Sequence, residues 1–379
     1  MFVRKSRNGV GIWMETMKPP MEVLYAAQLA ALRANDTGAK PPNWQLSPRA
    51  VRDFILGTDK PLAYEGESIE ITKKFYGDDA LIERAIVTLA GNRGLMLVGE
   101  PGTAKTMLSE LLSAAISGTS TNTIQGTAGT TEDMIKYSWN YAMLLDKGPS
   151  LQALVPSPLY NGMNKGIITR FEEITRCPFE VQDVLISILS DKVMNIPELA
   201  DGILFAKPGF NIIATANLRD KGVNEMSSAL KRRFNFETIA PINHVKMEAQ
   251  IIESQAKMIL QQSGVEVEID RDVVELLATT FMELRTGETK EGYKIESPQS
   301  VMSTAEAVSV YVQSAMTAYY YEGKPITLER LVQNLQGAVV KENQKDAGIL
   351  KTYFTKVVKE RAKEEGLWEA YYNEKKWIK

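Results

Sequence analysis

The sequence has little of the residue types on which several common kinds of active site depend. It contains one cysteine, Cys177, and one histidine, His244, among 379 residues. A single cysteine excludes an internal disulfide framework and a cysteine-rich zinc site, and a single histidine excludes histidine-based metal clusters. One histidine also argues against a Ser–His–Asp triad. The chemistry must therefore come from carboxylates, lysine, arginine, hydroxyls or a bound cofactor.

Strong net charge and long apolar runs are absent from the sequence as well. Its 44 basic and 47 acidic residues leave a formal net charge of −3, which argues against a strongly basic nucleic-acid-binding protein. No run of about 18 apolar residues is present. Residues 1–20 lack the apolar core of a signal peptide. Together these features predict a cytoplasmic protein without a membrane segment.

What is present indicates a folded chain with more than one packed unit. The composition, 44% hydrophobic and 24% charged, is ordinary for a globular protein, and the length exceeds that of one compact core. We expect a helical appendage at 1–66, because two short helical patterns there are separated by a polar stretch containing prolines. Between 67 and 244 helices alternate with short apolar strands, which predicts a three-layer α/β unit with a parallel sheet. Helical periodicity then predicts a helical domain at 245–345 and a helical tail at 346–379.

A glycine-containing turn joins an apolar strand at 95–98 to a helix that begins near residue 104. The turn and the first helical residues are Gly99, Glu100, Pro101, Gly102, Thr103, Ala104, Lys105 and Thr106. Backbone N–H groups of such a loop, with the positive end of the helix dipole, bind phosphate oxygens. The Lys105 side chain can reach the β- and γ-phosphates of a nucleotide, and the Thr106 hydroxyl can bind Mg²⁺.

One residue of this loop departs from the usual phosphate-binding pattern. Ala104 stands where glycine is usual, and we expect this to matter little because the residue already enters the helix. The alternative to a phosphate loop is a turn followed by a chance Lys-Thr pair. The strand before it and the helix after it favour the phosphate loop.

A second strand ends in two adjacent carboxylates, Glu172 and Glu173. Glu172 is placed to hold the Mg²⁺ shell, and Glu173 to orient and polarise an attacking water. The pattern has two irregularities, because Thr169 and Arg170 interrupt the apolar strand and glutamate replaces the usual aspartate at 172. A solvated glutamate pair at a helix start is the alternative interpretation, since acids suit that end of the helix dipole.

Polar residues also lie at the ends of the next two strands, after the first and before the second. Asn217 comes directly after an apolar strand and could bond a γ-phosphate or the water, although an asparagine there is often only a turn residue. Arg232 and Arg233 precede the strand that begins at Phe234. Arginines at such a place often serve solubility, but in ring ATPases one is presented to the neighbouring subunit's nucleotide.

These motifs in their order resemble the AAA+ ATPases. The segments are GEPGTAKT, FEEITRCP, ATAN and ALKRRF, and the Ala-Lys-Thr loop is most similar to the MoxR branch. That family commonly has Asp-Glu-Ile-Asn-Arg-Ala-Pro where this chain has residues 172–178. The resemblance covers about 69–345. It implies an AAA+ α/β domain followed by an all-α lid, with ATP and Mg²⁺ as ligands.

The resemblance also implies roles for single residues. Asn217 takes the first sensor position, and Arg233 is the better candidate for the arginine finger, with Arg232 in reserve. The adenine side is expected near Tyr76 and Gly77. The lid usually has Ser-Pro-Arg, whereas this chain has Gln299 after Ser297-Pro298, which we expect to begin a lid helix. Because Gln299 brings no charge and glutamate replaces aspartate at 172, we expect slow hydrolysis but intact nucleotide binding.

The resulting hypothesis is a ring ATPase, expected to be a hexamer, that remodels or activates a protein partner. By resemblance, that partner often bears a von Willebrand factor A domain. The insertion at 129–166 is expected to carry pore-facing or mobile elements. Three alternatives stay open: an ATP-regulated scaffold with little turnover, a nucleic-acid motor, which the near-neutral charge makes unlikely, and a small-molecule kinase.

Overall fold

The computed structural model describes residues 16–217, 224–341, 343–364 and 366–379. It forms two compact units, of which the first runs to Ile239 and the second comprises Ala240–Lys379 together with Pro101–Thr103. Residues 1–15 of the expected appendage lie outside the described residues. The division of the chain at 66/67 and 345/346 stays a prediction.

The first unit contains a parallel sheet, three two-stranded hairpins and many short helices. Its described strands are β1 (Leu62–Tyr64), β2 (Glu67–Ile69), β3 (Gly94–Gly99), β4 (Thr123–Gln125), β5 (Tyr137–Trp139), β6 (Leu154–Pro156), β7 (Ile168–Glu172), β8 (Val193–Asn195), β9 (Ile203–Phe205), β10 (Asn211–Ala216) and β11 (Phe234–Ile239). Its described helices are α1 (Met21–Leu24), α2 (Ala26–Asn35), α3 (Pro48–Leu56), α4 (Asp79–Ala90), α5 (Lys105–Ser117), α6 (Glu132–Ile135), α7 (Tyr141–Lys147), α8 (Pro158–Lys165), α9 (Phe179–Asp183), α10 (Leu185–Asp191) and α11 (Ser228–Lys231).

Five strands form the central sheet in the order β11-β3-β10-β7-β4, and every neighbouring pair is parallel. Three antiparallel hairpins, β1–β2, β5–β6 and β8–β9, lie outside it. From short apolar or alternating patterns, the sequence predicts these strands at 95–98, 122–125, 166–171, 210–215 and 234–239, each within two residues of its observed ends. The hairpins are not predicted, since their strands are short and mostly half-buried or exposed.

Side chains on alternate positions of β3 show why the unit has three layers. Leu95 and Leu97 join a core formed with helices α2–α5, whereas Met96 and Val98 join a second core formed with helices such as α8 and α10. Since successive residues of a strand point to opposite faces, a fully apolar strand requires helices on both sides of the sheet. The three-layer α/β prediction is confirmed.

The N-terminal helices belong to the first of these two cores. Ser47 caps α3 by accepting a hydrogen bond from the Ala50 N–H, as its Ser-Pro sequence predicts. Leu32 of α2 and Phe54 of α3 are buried with residues of α4 and α5. The helices before the sheet therefore share its packing.

Among the described residues of the second unit, the regular elements are all helices, and one isolated β-bridge joins Glu288 and Lys294. Its helices are α12 (Val245–Gln262), α13 (Arg271–Thr286), α14 (Thr304–Glu322), α15 (Leu328–Val339), α16 (Lys345–Tyr353), α17 (Lys359–Arg361) and α18 (Gly366–Asn373). A π-helical turn at Phe354–Val358 joins α16 to α17, and a 3₁₀ turn at Glu374–Trp377 follows α18. The predicted α/β fold followed by a helical domain is confirmed.

The C-terminal tail packs on the rest of the helical unit. Trp368 and Tyr371 are buried in the same core as α12–α15. Arg361, 8% exposed, bonds the carboxylate of Glu283 on α13 at 2.6 and 3.1 Å and that of Glu291 at 2.9 and 2.8 Å. Its guanidinium also lies 4.7 Å from the Trp368 ring centroid. These contacts hold the tail to α13.

The prediction that a lid helix begins at Ser297-Pro298 is wrong. Residues 297–303 are not helical, and α14 begins at Thr304. Ser303 and Glu306 form a reciprocal capping box, which satisfies two N–H groups at once and fixes the start there.

Within the described ranges, the structure contains no helix that is both long enough and apolar enough to cross a membrane.

Candidate functional site

The carboxyl ends of β3, β7 and β10 meet at one edge of the sheet. Val98 of β3 pairs with Ala216 of β10, and Ala214 of β10 pairs with Phe171 of β7. In open parallel sheets, ligands bind outside the carboxyl ends of the strands. The loop after β3, the acid pair after β7 and Asn217 after β10 therefore share the edge where such a site is expected.

The loop after β3 turns sharply through two residues with left-handed backbone. Gly102 has φ 76° and Ala104 has φ 64°. Ala104 is thus the residue before α5, and the expectation that it already enters the helix is wrong. Left-handed backbone costs an alanine roughly 1 kcal/mol, so the fold holds it there against its preference. A glycine, which lacks that cost, is the usual residue for such a conformation.

The first two residues of α5 point their polar groups back toward the loop and the sheet. Lys105 is 7% exposed, and its Nζ donates to the carbonyl oxygens of Gly99 at 2.9 Å and Glu100 at 2.7 Å. The Thr106 hydroxyl donates to Glu172 Oε2 at 3.0 Å. Two motifs that lie 66 residues apart in sequence therefore meet at the start of one helix.

Glu172, the last residue of β7, is a buried carboxylate with both oxygens bonded. Its exposed fraction is 4%; Oε2 also accepts from the Thr215 hydroxyl at 2.7 Å, and Oε1 accepts from the Ser109 hydroxyl at 2.6 Å. Burial raises the pKa of Glu172, but the charge of Arg170 and the hydroxyl donors outweigh it, so the net shift of the pKa is downward. Glu172 therefore stays ionised.

Arg170 is the residue whose role the sequence analysis missed. It lies two positions before Glu172 on β7, is 4% exposed, and donates from Nη2 to Glu172 Oε1 at 2.6 Å. Its Nε donates to Ser109 Oγ at 2.9 Å and its Nη1 to the Ser120 carbonyl at 2.6 Å. The signal was visible, because a charged residue interrupts an apolar strand two positions from an acid, on the same face. On the sequence alone, this residue indicates only an irregularity of the strand.

Glu173 follows Glu172 in an uncommon backbone conformation. Its φ is 54°, in the left-handed region, and its N–H donates to Thr215 Oγ1 at 3.0 Å. The side chain is 30% exposed, and Oε2 lies 3.5 Å from Arg176 Nε. Non-glycine residues held in this region cluster at functional sites. Thr215, which bonds both Glu172 and the Glu173 backbone, is a second residue that the sequence analysis missed.

The remaining predicted site residues lie around this edge or on other elements. Asn217 is 3% exposed and directly follows β10. Arg233 is half-buried and donates to Ser190 Oγ at 2.8 Å and to the Ala229 carbonyl at 2.8 Å. Arg232 is exposed, and its Nε donates to the Ser228 carbonyl at 3.2 Å.

Tyr76, Gly77 and Gln299 are the candidates for contacts away from the phosphates. Tyr76 is half-buried and Gly77 exposed, just before α4. In the helical unit, Gln299 has an exposed side chain, and its backbone N–H donates to Asp346 Oδ1 at 3.1 Å. The structure assigns none of these three a nucleotide contact, and their roles stay predictions.

A parallel sheet with a phosphate-type loop after one strand and an acid pair at the end of another strand, at the same edge, defines the class of P-loop proteins to which AAA+ domains belong. Comparison with known proteins agrees. Residues 94–234 match the AAA domain family of the dynein-related subfamily, and residues 246–379 match the YehL-like AAA+ ATPase C-terminal domain.

Two relatives and one solved structure show how far the similarity extends. The YehL protein of Escherichia coli K12 is 50% identical over 340 residues, covering 89% of this chain and 91% of that protein. The chaperone MoxR1 of Mycobacterium tuberculosis H37Rv is 27% identical over 202 residues, covering 50% of this chain and 49% of that protein. The structure of NtrX from Brucella abortus in complex with ADP is 12% identical, with a TM-score of 0.47. That match covers 80% of this chain and 64% of NtrX.

The chain belongs to the AAA+ ATPases of the MoxR and YehL type. The family predicted from the ordered motifs is confirmed. The family assignment also supports ATPase activity and nucleotide binding by this chain.

Proposed function

We propose that the protein binds Mg²⁺-ATP between neighbouring subunits of a ring, expected to be a hexamer, and uses slow hydrolysis to remodel or activate a protein partner. The observation that carries this proposal is the 3.0 Å contact between Thr106 and Glu172, which joins the phosphate loop to the acid pair. A hydroxyl and a carboxylate are the hard oxygen ligands that Mg²⁺ prefers. When bound, the metal would neutralise charge on the phosphates.

Each residue of the site has a proposed part in this function. The N–H groups of residues 99–106 and the Lys105 ammonium bind the phosphates. Thr106 holds the metal directly, and Glu172 supports it. Glu173 orients the attacking water, and Asn217 senses the γ-phosphate. Arg233, with Arg232 in reserve, reaches the nucleotide of the next subunit, Tyr76 and Gly77 border the adenine, and Gln299 contributes from the lid.

The β5–β6 hairpin and α7 support the proposal that the partner is a protein. Tyr141 is 72% exposed, Leu145 89% and Leu151 69%, all within the 129–166 insertion. Several large apolar side chains exposed within one short segment favour a contact with another protein. We extend this to a partner that bears a von Willebrand factor A domain, as in similar proteins, and we place the protein itself in the cytoplasm. Nucleic acid is not expected as a partner.

Two variants test the proposed roles, one in the phosphate loop and one in the acid pair. Lys105→Ala should abolish nucleotide binding, measured with a fluorescent ATP analogue. Glu173→Gln should bind nucleotide as the wild type does and stop steady-state turnover. If Glu173→Gln hydrolyses ATP at the wild-type rate, the assignment of the water-activating residue is wrong.

A scaffold that forms with ATP and barely turns over is the second candidate function. It is favoured by the glutamate at 172, where aspartate is usual, and by the uncharged Gln299. Steady-state phosphate release separates the two functions. A wild-type rate at the level of Glu173→Gln would favour the scaffold.

A further inference from the structure

The Glu172 carboxylate accepts hydrogen bonds from four side chains, and one of them is a buried cation. Arg170 satisfies three of its donor groups inside the protein, on Ser109, Ser120 and Glu172 itself. Each of its three nitrogens therefore has a partner, and one partner is a carboxylate that compensates the buried charge. The longer glutamate at 172 reaches Arg170 and Ser109 with one oxygen while the other accepts from Thr106 and Thr215.

The partners of Arg170 lead from this carboxylate to the N-terminal segment 18–24. Ser120, whose carbonyl accepts from Arg170, is 4% exposed, and its N–H donates to Glu22 Oε2 at 2.8 Å. The Ser120 hydroxyl accepts from the Met21 N–H at 3.1 Å. Three groups of one residue therefore join the segment 18–24 to the guanidinium.

A second series of contacts, between charged side chains, also joins the segment 18–24 to Glu172. Lys18 Nζ lies 2.8 Å from Glu110 Oε1, and the same oxygen lies 3.7 Å from Arg170 Nη2. Positive and negative groups thus alternate from Lys18 through Glu110 and Arg170 to Glu172. The segment 18–24 lies outside both matched family regions, 94–234 and 246–379.

We propose that Arg170 is a positioning residue that holds the Glu172 carboxylate for the metal–nucleotide complex and links it to the N-terminal segment 18–24. This inference rests on the proposed nucleotide site. Arg170 touches no phosphate in it and acts through Glu172. Residues that orient a metal ligand from behind affect metal affinity by about 10- to 100-fold when they are replaced.

The test measures metal and nucleotide separately on the full chain. Nucleotide affinity is measured with a fluorescent ATP analogue in EDTA, and metal affinity by electron paramagnetic resonance of Mn²⁺ added to the nucleotide-bound protein. Arg170→Met should weaken Mn²⁺ binding about tenfold or more while nucleotide affinity in EDTA changes less than about twofold. Arg170→Lys, which keeps the charge but loses the forked geometry, should fall between the wild type and Arg170→Met.

The link to the N-terminal segment has its own variant and control. Glu22→Gln keeps the shape but weakens the acceptor of the Ser120 N–H, and should weaken Mn²⁺ binding in the same direction by a smaller factor. Glu67→Gln, an exposed glutamate on β2, is the matched control and should change nothing. Thermal unfolding verifies that each variant is folded. If Arg170→Met does not fold, the Mn²⁺ affinity of Arg170→Lys tests the proposal instead.

The outcomes separate this inference from the function on which it rests. Unchanged Mn²⁺ affinity in a folded Arg170 variant that binds nucleotide normally would overturn the positioning role alone. A normal Glu22→Gln variant beside a weakened Arg170→Lys would overturn the link to the segment 18–24. A wild-type protein that binds no nucleotide in EDTA or with Mg²⁺ would overturn the proposed function and this inference together.

Discussion

At the scale of single residues, the site depends on hydroxyls that the motif pattern does not include. Thr215 is 1% exposed; it donates to Glu172 and accepts from the Glu173 N–H. One hydroxyl therefore fixes both acids of the pair. Because Glu173 sits in left-handed backbone, losing that acceptor would leave its N–H unpaired and its conformation less supported.

Thr215→Val should therefore lower kcat about tenfold, with nucleotide affinity in EDTA unchanged, while Thr215→Ser should stay near the wild type. Steady-state phosphate release gives the rates. Thr169→Val is the matched control, because Thr169 is a buried threonine on the opposite face of β7, with hydrogen bonds to Asn122 and the Pro158 carbonyl. Equal loss of rate in Thr169→Val and Thr215→Val would mean that general destabilisation, and not the acid pair, explains the effect.

The left-handed Ala104 gives a prediction about stability. Ala104→Gly removes the cost of left-handed backbone but adds chain entropy to the unfolded state, so the free energy of unfolding should rise by about 0.5–1 kcal/mol. Ala114→Gly, in the buried interior of α5, should lower it by roughly 1 kcal/mol or more. Urea unfolding checks both changes. A less stable Ala104→Gly variant would show that the loop, as folded, does not strain its alanine.

At the scale of elements, the tail of the helical unit is held by a buried ion-pair network. Glu283 is 0% exposed and also accepts from the Tyr353 hydroxyl at 2.6 Å. Arg361→Met leaves this carboxylate without a counter-charge and should reduce the free energy of unfolding by roughly 3 kcal/mol. Lys363→Met, at an exposed lysine paired with Glu360, should change it by less than about 1 kcal/mol. Similar losses in both variants would contradict the role of the network.

The same network predicts that the free energy of unfolding depends on pH in the acidic range. The hydrogen bonds from Arg361 lower the pKa of Glu291 from 4.5 to about 2. A pKa lowered by folding means that the stabilisation is complete above pH 4.5 and is lost as the pH falls toward 2. Chemical unfolding at pH 5 and pH 3 should show a smaller loss for Arg361→Met than for the wild type. Equal losses would mean that this carboxylate is not coupled to Arg361.

The elements also show what the sequence could predict and why the rest was missed. The sheet strands and α5 follow from local patterns. Short apolar or alternating runs indicate the strands, and apolar residues at helical spacing indicate α5, with the loop motif between β3 and α5. The role of Arg170 depends on a side chain of α5 and on the backbone carbonyl of Ser120, which both lie beside β7, and no local pattern encodes that. The start of α14 was misplaced because two caps compete within a few residues, and only the reciprocal Ser303–Glu306 pair satisfies two N–H groups.

At the scale of the whole molecule, the composition and the site agree. One cysteine and one histidine left carboxylates, lysine, arginine and hydroxyls as the available chemistry, and the site consists of those groups. The chain is an AAA+ ATPase of the MoxR and YehL type. The proposed ring adds that Arg233 acts on the nucleotide of a neighbouring subunit, so an isolated subunit would be inactive.

The most direct test of the proposed ring function is to mix two inactive variants. Lys105→Ala keeps the arginine and Arg233→Ala keeps the phosphate loop, so a mixed ring regains complete sites at roughly a quarter of its interfaces if subunits mix at random. We predict that each variant alone is inactive and that a 1:1 mixture recovers a corresponding fraction of wild-type phosphate release. A mixture as inactive as its components, in assemblies shown by mass photometry to contain both, would contradict the shared site.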